Sequence, residues 1–201
     1  MITEETLFSG ELYDANDPEL LAEQARCLET LYAFNATRPT EIEKRTALLK
    51  TMFRGLGEDC YIEPPLRANW GGRHVVFGAR VYANFNLTMV DDGPITVGDC
   101  TLIGPNVTIA TAAHPIDSAL RAKGYQYNLP VVIGKNCWLG AGALIMPGVT
   151  IGDNTVVGAG SVVTRDLPAN VVAVGAPCRV LRAITEADRA KFAGSPLSEN
   201  L

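Results

Sequence analysis

The chain has 201 residues and a formal net charge of −5, with 47% hydrophobic and 19% charged residues. This composition supports a sizeable core and excludes global disorder, and the acidic balance argues against a nucleic-acid-binding protein, which would show a basic face. No apolar run approaches the roughly 18 residues that a membrane span requires. The acidic N-terminus lacks the apolar segment of a secretory signal, and the five cysteines are scattered. We therefore predict a cytoplasmic protein with free thiols.

Composition divides the chain near residue 64. Residues 1–74 contain no valine, whereas 17 valines follow, and residues 1–63 hold 19 of the 39 charged residues. We therefore predict an N-terminal helical segment over 1–63, a β-rich part over 64–182 and a tail over 183–201.

Two helices are predicted in the N-terminal segment. Asp17 and Pro18 form an N-cap followed by a first-turn proline, and a first apolar stripe follows at helical spacing, made of Leu21, Ala25, Leu28 and Tyr32. The residues Thr40-Glu41-Ile42-Glu43 resemble a capping box. They open a second stripe made of Ile42, Leu49, Met52, Phe53 and Leu56. Packing of both helices against the rest of the chain is as good an interpretation as any direct function.

A six-residue repeat follows. Aliphatic residues recur at this step, with one gap of twenty-four, at Val97, Ile103, Ile109, Ile133, Leu139, Ile145, Ile151, Val157 and Val163. Upstream, Phe77, Ala83, Met89 and Ile95 keep the same step, and the phase slips by two residues near Asp91-Asp92-Gly93, which predicts a small loop. A fixed short period indicates a repeat architecture, here a parallel β-helix with inward aliphatic side chains and Gly or Asn at the corners. About a dozen hexapeptides predict about four coils.

Residues 110–129 interrupt this repeat. They contain a charge cluster and no inward aliphatic series, which predicts a loop ejected from the coil. His114 lies at the start of this loop. A lone histidine is most often structural, but loops on rigid scaffolds frequently carry function, so His114 is a candidate base.

The residues YANFNLTMVDDGPITVGDCTLIGPNVTIATAAHP and IGKNCWLGAGALIMPGVTIGDNTVVGAGSVVTRDLPANVVAVGAPCRV resemble the sugar O-acetyltransferases of the hexapeptide-repeat superfamily, such as maltose, galactoside and nodulation-factor acetyltransferases. The segment GELYDANDPEL is similar to the helical opening of those proteins, so the resemblance covers roughly residues 8–184. It implies a left-handed β-helix, a homotrimer, acetyl-CoA as donor, a hydroxylated acceptor such as a sugar, and no metal.

The resemblance also implies roles for individual residues. His114, in AHP, matches the general base. The residues that match the family's acceptor site are Asn84, Asp92, Tyr82, Asn69 and Asp14. Asp17 is an alternative to Asp14. The match of Asn69 is affected by an insertion near Gly71-Gly72. The coenzyme side matches at Trp138, Ala141, Ala159, Thr164, Arg165, Arg179 and Arg182. Ala141 stands where some relatives have serine, and Arg165 replaces a common lysine, which keeps the charge but changes the hydrogen-bond geometry.

The chemistry is consistent with these assignments. An alcohol must lose a proton as it attacks a thioester, which a neutral imidazole accepts near pH 7, and backbone N–H groups near Gly140-Ala141 are candidates for stabilising the oxyanion. A zinc γ-type carbonic anhydrase on the same fold needs three histidines, and the chain has two, His74 and His114. The alternatives left are an O-acetyltransferase for a xenobiotic alcohol such as an antibiotic, and a non-catalytic hexapeptide scaffold.

Overall fold

A computed structural model describes residues 2–190 of the chain. The N-terminal segment contains helices α1 (Glu4–Phe8), α2 (Pro18–Asn35) and α3 (Ile42–Met52), with a short strand β1 (Tyr13–Asp14) between the first two helices. No helix in the described part of the chain is long and apolar enough to cross a membrane.

Helix α2 begins where the sequence predicts. The Asp17 carboxylate accepts hydrogen bonds from the N–H groups of Glu19 and Leu20, at 2.9 and 3.1 Å, and Pro18 occupies the first turn. This contact makes Asp17 a helix cap, which favours Asp14 over Asp17 as the acceptor-side candidate.

The predicted apolar stripe of α2 is wrong. Its members Leu21, Leu28 and Tyr32 are exposed. The helix instead buries Leu31 and Phe34 against α3 and the coil, and Leu20 in a separate cluster with Leu7, Tyr13 and Trp70. The helix has apolar residues on two faces, and only the position of the neighbouring elements decides which face is buried.

The predicted capping box does not form at the start of helix α3. Glu41 is the N-cap and makes no side-chain cap bond to the helix. Its carboxylate accepts instead from the backbone N–H of Arg38, at 2.6 Å. Ile42 is exposed, and the helix ends at Met52, so Phe53 and Leu56 lie beyond it.

The remaining elements are short. In chain order they are β2 (Gly55–Leu56), β3 (Tyr61–Ile62), β4 (Arg67–Ala68), β5 (Val75–Phe77), β6 (Tyr82–Ala83), β7 (Thr88–Val90), β8 (Ile95–Val97), β9 (Leu102–Ile103), β10 (Thr108–Ala110), β11 (Ala112–Ala113), α4 (Ser118–Ala122), β12 (Tyr125–Asn128), β13 (Val131–Ile133), β14 (Trp138–Leu139), β15 (Leu144–Ile145), β16 (Thr150–Ile151), β17 (Val156–Val157), β18 (Val162–Val163), β19 (Val171–Val174), β20 (Arg179–Ala183) and α5 (Glu186–Ala190).

Three parallel sheets form the faces of a prism. The first sheet has the order β2-β5-β8-β13-β16, the second runs β3-β6-β9-β14-β17-β19 and the third runs β4-β7-β10-β15-β18. The parallel β-helix is confirmed, and it has about six coils rather than the expected four. The coils begin at Gly55, upstream of the boundary expected at residue 64. The first coil was missed because it contains no valine, although Leu56, Ile62 and Ala68 keep the six-residue step.

The repeat residues form the core as predicted. All thirteen aliphatic and aromatic positions of the series, from Phe77 to Val163, are no more than 1% exposed. Each lies in register with its counterpart one coil away, as Met89, Ile109 and Ile145 do in the third sheet. The two-residue phase slip is the turn between β7 and β8, as expected.

Asparagine and glycine have different structural roles at the corners of the coils. Asn136 and Asn154 adopt positive φ angles of 53° and 59°, and an amide ladder joins their side chains at 2.9 Å. Gly98 does not adopt a positive φ; a Cβ there would lie 2.6 Å from the carbonyl carbon of Gly134. Glycine is therefore required at this corner because adjacent coils approach closely, whereas asparagine supplies the left-handed conformation.

Residues 110–129 leave the coil as an arm. Strands β11 and β12 pair in an antiparallel hairpin with α4 between them, and β12 also pairs with β1. The N-terminal segment therefore holds the arm in place. At the C-terminal end, β20 folds back antiparallel on β19 and α5 follows. The predicted tail over 183–201 thus begins inside β20, and its residues 191–201 lie outside the described part of the chain.

Candidate active site

His114 lies on the arm, directly after β11. The residue is exposed, and its Nδ1 atom is 3.1 Å from the main-chain carbonyl oxygen of Tyr125 on β12. A carbonyl only accepts, so Nδ1 carries the proton of the neutral ring and Nε2 carries the lone pair. The sequence left the partner of His114 unidentified; the structure supplies this carbonyl, which leaves a basic nitrogen available.

Asp92 and Asn69 lie together at one corner of the coil. Asp92 is buried, and its Oδ2 accepts from the Asn69 side-chain amide at 3.0 Å. Its Oδ1 accepts from the Gln126 side chain on the arm at 3.1 Å. Asp92 thus connects the first coils to the strand that orients His114.

A buried polar cluster supports this corner, and we missed its members in the sequence. The Asn128 side-chain amide lies 3.0 Å from the Tyr13 hydroxyl and 3.1 Å from the Leu7 carbonyl oxygen, and Gln126 contacts the same hydroxyl. The pKa of Tyr13 is raised to about 12, mainly because burial removes its hydroxyl from water. The sequence carried one available signal, because the alternation Tyr-Gln-Tyr-Asn in β12 places Gln126 and Asn128 on one face.

Asp91 and His74 lie behind Asp92. The Asp91 carboxylate accepts from the N–H groups of Trp70 and Gly72, at 2.8 and 2.9 Å, and burial raises its pKa to about 6. His74 is 2% exposed, with Nδ1 at 2.7 Å from the Asp91 carbonyl oxygen, and burial lowers its pKa. Gly72 adopts a φ of 93°, which turns its N–H towards the carboxylate. The insertion near Asn69 is therefore a turn organised by Asp91.

The other acceptor-side candidates lie elsewhere. Asp14 is exposed on β1 and pairs with Tyr125, which places it beside the strand that orients His114. Tyr82 stacks on Tyr61 with ring centroids 6.3 Å apart. Asn84 follows β6 and accepts from the N–H of Phe85 at 2.8 Å.

The coenzyme-side candidates lie mainly along the second sheet. Trp138 is 55% exposed on the outer surface of β14, two coils from Tyr82 in the same register. Ala141 and Ala159 follow β14 and β17 at the corner that also holds Asn84. Thr164 and Arg165 follow β18, at the corner of the arm and Asp92.

Several of the groups predicted near the thioester and the coenzyme have hydrogen-bond partners within the chain. The Gly140 N–H donates to the Val157 carbonyl at 2.7 Å, so it is not free to stabilise an oxyanion. The Ala141 N–H has no acceptor within the described residues, and Ala141 is an exposed residue, so this N–H remains a candidate. Arg182 forms a two-point ion pair with Asp188 of α5, at 2.6 and 2.8 Å, and Arg179 donates to the Cys178 carbonyl oxygen.

Comparison with known proteins decides the family. Residues 8–57 match the maltose acetyltransferase hexapeptide capping motif, and residues 130–165 match the bacterial transferase hexapeptide with six repeats. The chain is 54% identical to a galactoside O-acetyltransferase of Lactococcus lactis, over 89% of this chain and 86% of that protein. It is 46% identical to a galactoside O-acetyltransferase of Escherichia coli, over 92% and 91% of the two chains.

The chain belongs to the hexapeptide-repeat sugar O-acetyltransferase family.

Solved structures confirm the fold of this acetyltransferase. A galactoside acetyltransferase in complex with coenzyme A superposes with a TM-score of 0.89 at 46% identity, over 94% of each chain. A maltose O-acetyltransferase from Clostridium difficile gives the same TM-score at 44% identity, over 92% of this chain and 98% of that one. The expected left-handed β-helix and acetyl-CoA as cosubstrate are thereby confirmed. Among residues 2–190, no group of three His, Cys, Asp or Glu side chains is placed to hold a metal ion.

The acetyltransferase chain separates its candidate residues into two groups. One corner of the coil carries Asn69, Asp92, Thr164, Arg165 and the arm with His114. The second sheet and its following corner carry Tyr82, Asn84, Trp138, Ala141 and Ala159. The strands of the third sheet lie between the two groups, so one chain does not bring all of them together.

Proposed function

We propose that this acetyltransferase moves acetyl from acetyl-CoA to a hydroxyl of a sugar or glycoside by direct transfer, with His114 as general base. The observation that carries this proposal is the hydrogen bond from His114 Nδ1 to the Tyr125 carbonyl, because it leaves Nε2 basic and exposed. Asn69, Asp92 and Asp14 lie on elements joined to the same strand and supply amide and carboxylate groups for sugar hydroxyls.

The reaction needs one proton to move twice. Nε2 of His114 takes the proton of the acceptor hydroxyl while the oxygen bonds to the acetyl carbonyl carbon. The resulting oxyanion accepts a hydrogen bond from the Ala141 N–H. The carbon–sulfur bond then breaks, and the imidazolium returns its proton to the departing thiolate of coenzyme A. No covalent enzyme intermediate is required.

We further propose a cyclic homotrimer with shared active sites. In such an assembly the group with His114 of one chain faces the group with Trp138 and Ala141 of the next. The outer surfaces of the second and third sheets support this, because they expose Leu102, Trp138 and Leu144 at 49%, 55% and 38%. Light scattering at micromolar concentration should give a trimer mass, and a fully active monomer would contradict shared sites. A cytoplasmic location stays a prediction.

One experiment tests the activity. Purified protein is incubated with acetyl-CoA and a panel of galactosides, maltose, other sugars and antibiotics, and free thiol is measured over time. We expect thiol release with sugars or glycosides. Turnover with antibiotics alone would favour a xenobiotic acceptor, and no turnover with any acceptor would favour a non-catalytic scaffold.

A further inference from the structure

Gln126 occupies a position that the proposed reaction does not yet use. Its side chain is 7% exposed, although glutamine is a polar residue that usually reaches solvent. Its Nε2 atom lies 3.1 Å from Asp92 Oδ1 and 3.2 Å from Asn128 Oδ1, and it contacts the Tyr13 hydroxyl. A buried amide with these partners is fixed in place, and its bond to a carboxylate is of the stronger, charge-assisted kind.

The backbone of β12 connects Gln126 to the proposed base. Tyr125 and Gln126 are consecutive residues, and the carbonyl of Tyr125 orients His114 while the side chain of Gln126 holds Asp92. Strand β1 pairs with both, Tyr13 opposite Gln126 and Asp14 opposite Tyr125. A displacement of β12 would therefore move the base and the acceptor-side carboxylate together.

We propose that Gln126 is a positioning residue for the acceptor: its amide, anchored by Tyr13, fixes the Asp92 carboxylate relative to His114. This inference rests on the proposed function. Asp92 accepts from Asn69 at its other oxygen, so the two amides together hold the carboxylate in one orientation. Loss of the Gln126 amide leaves the buried carboxylate held by Asn69 alone, so that its orientation is less restricted.

The groups around Gln126 define what a charged substitute would meet. The Asp92 carboxylate and the Tyr13 hydroxyl face its side chain, and the Asn128 amide lies beside it. Tyr13, with a pKa of about 12, stays protonated throughout the physiological range. Further titratable groups are Asp91, which is adjacent to Asp92, and His74, which lies 2.7 Å from the Asp91 carbonyl oxygen. Tyr125 and Tyr127 flank Gln126 on β12, and Asp14 pairs with Tyr125.

The test uses Gln126→Leu, with the sugar that the parent acetylates fastest. We expect the KM for that sugar to rise about 10- to 100-fold, since a hydrogen bond to a charged group is lost. The KM for acetyl-CoA should stay within about twofold, because the substitution leaves the second sheet unchanged. Asn35→Leu is the matched control: the Asn35 side chain makes two hydrogen bonds to the backbone of Leu66, away from His114. It should lower the melting temperature without raising the KM for the sugar.

A second variant covers the case in which Gln126→Leu fails to fold. In Gln126→Glu a protonated carboxyl still donates to Asp92, whereas the ionised form repels it. The ratio of variant to parent kcat/KM for the sugar should therefore fall as pH rises, a change that a purely structural role does not produce.

The outcomes are distinguishable. If the parent transfers acetyl to no sugar, the proposed function fails and this inference fails with it. If the parent is active, two results overturn the inference alone: Gln126→Leu raising both KM values equally or neither, or a Gln126→Glu ratio that does not change with pH.

Discussion

Replacing His114 by alanine tests the proposed mechanism most directly. The side chain is exposed, so its removal opens no buried cavity, and within the described part of the chain its hydrogen-bond partner is the carbonyl of Tyr125. The fold should therefore lose no more than about 0.5 kcal/mol of stability, as is usual for surface substitutions. Catalysis should lose far more, because removal of a general base typically costs about 10²- to 10⁴-fold in rate. This corresponds to roughly 3–5 kcal/mol of transition-state stabilisation.

The assay compares initial rates of thiol release for the parent and His114→Ala at saturating acetyl-CoA. The variant should keep its melting temperature and its affinity for coenzyme A while losing kcat. Ile116→Ala, on the same loop and 95% exposed, is the control and should be as active as the parent. Transfer by His114→Ala at near-parental rate to every accepted sugar would refute both the mechanism and the site.

Four further predictions concern the coenzyme side and stability. Arg179→Ala should raise the KM for acetyl-CoA more than it lowers kcat, because phosphate contacts remote from the thioester stabilise the ground state and the transition state equally. If calorimetry shows the same affinity for acetyl-CoA in the variant and the parent, Arg179 does not belong to the coenzyme site. Asp188→Asn frees the Arg182 guanidinium and should lower the same KM about 1.4- to 5-fold, whereas a rise would mean that the ion pair orients Arg182 for binding. Burial lowers the pKa of His74, so the unfolded chain binds a proton that the folded chain does not, and stability should fall as pH drops through about 6.5. The urea midpoint should drop less between pH 7.5 and pH 5.5 in His74→Gln than in the parent. Equal drops in the two proteins would show that protonation of His74 does not cause the loss of stability. Leu139→Ala, at a fully buried core position, should cost about 2–5 kcal/mol in urea unfolding, and a cost below 1 kcal/mol would show that the coil relaxes around the cavity.

The environment of His74 differs from what its position in the sequence suggests. The sequence RHVVFGA places His74 beside an early coil and outside the predicted site, which suggests His74 as a control for His114. It is instead buried between Phe8 and Trp70, with its ring centroid about 5 Å from each, and it bonds the backbone of Asp91. Its substitution is therefore a test of stability, and Ile116 is the better control.

The coil, its inward residues and the arm follow from local sequence patterns alone. A six-residue period places Val97, Ile133 and Ile151 on the same inner surface whatever the rest of the chain does, because each short strand repeats one local geometry. The interruption of that period located the arm and His114 for the same reason. Local signals also fixed the start of α2 at Asp17 and Pro18.

Contacts between groups that are distant in sequence depend on the packing of the whole chain. Tyr13 and Gln126 are 113 residues apart, and nothing in either local sequence indicates that β1 and β12 pair. The buried face of α2 was undecidable for a related reason, since burial depends on what packs against the helix. The number of residues in each coil sets the corner at which each candidate lies, and therefore separates His114 from Trp138. Only the pairing of the strands reveals this number.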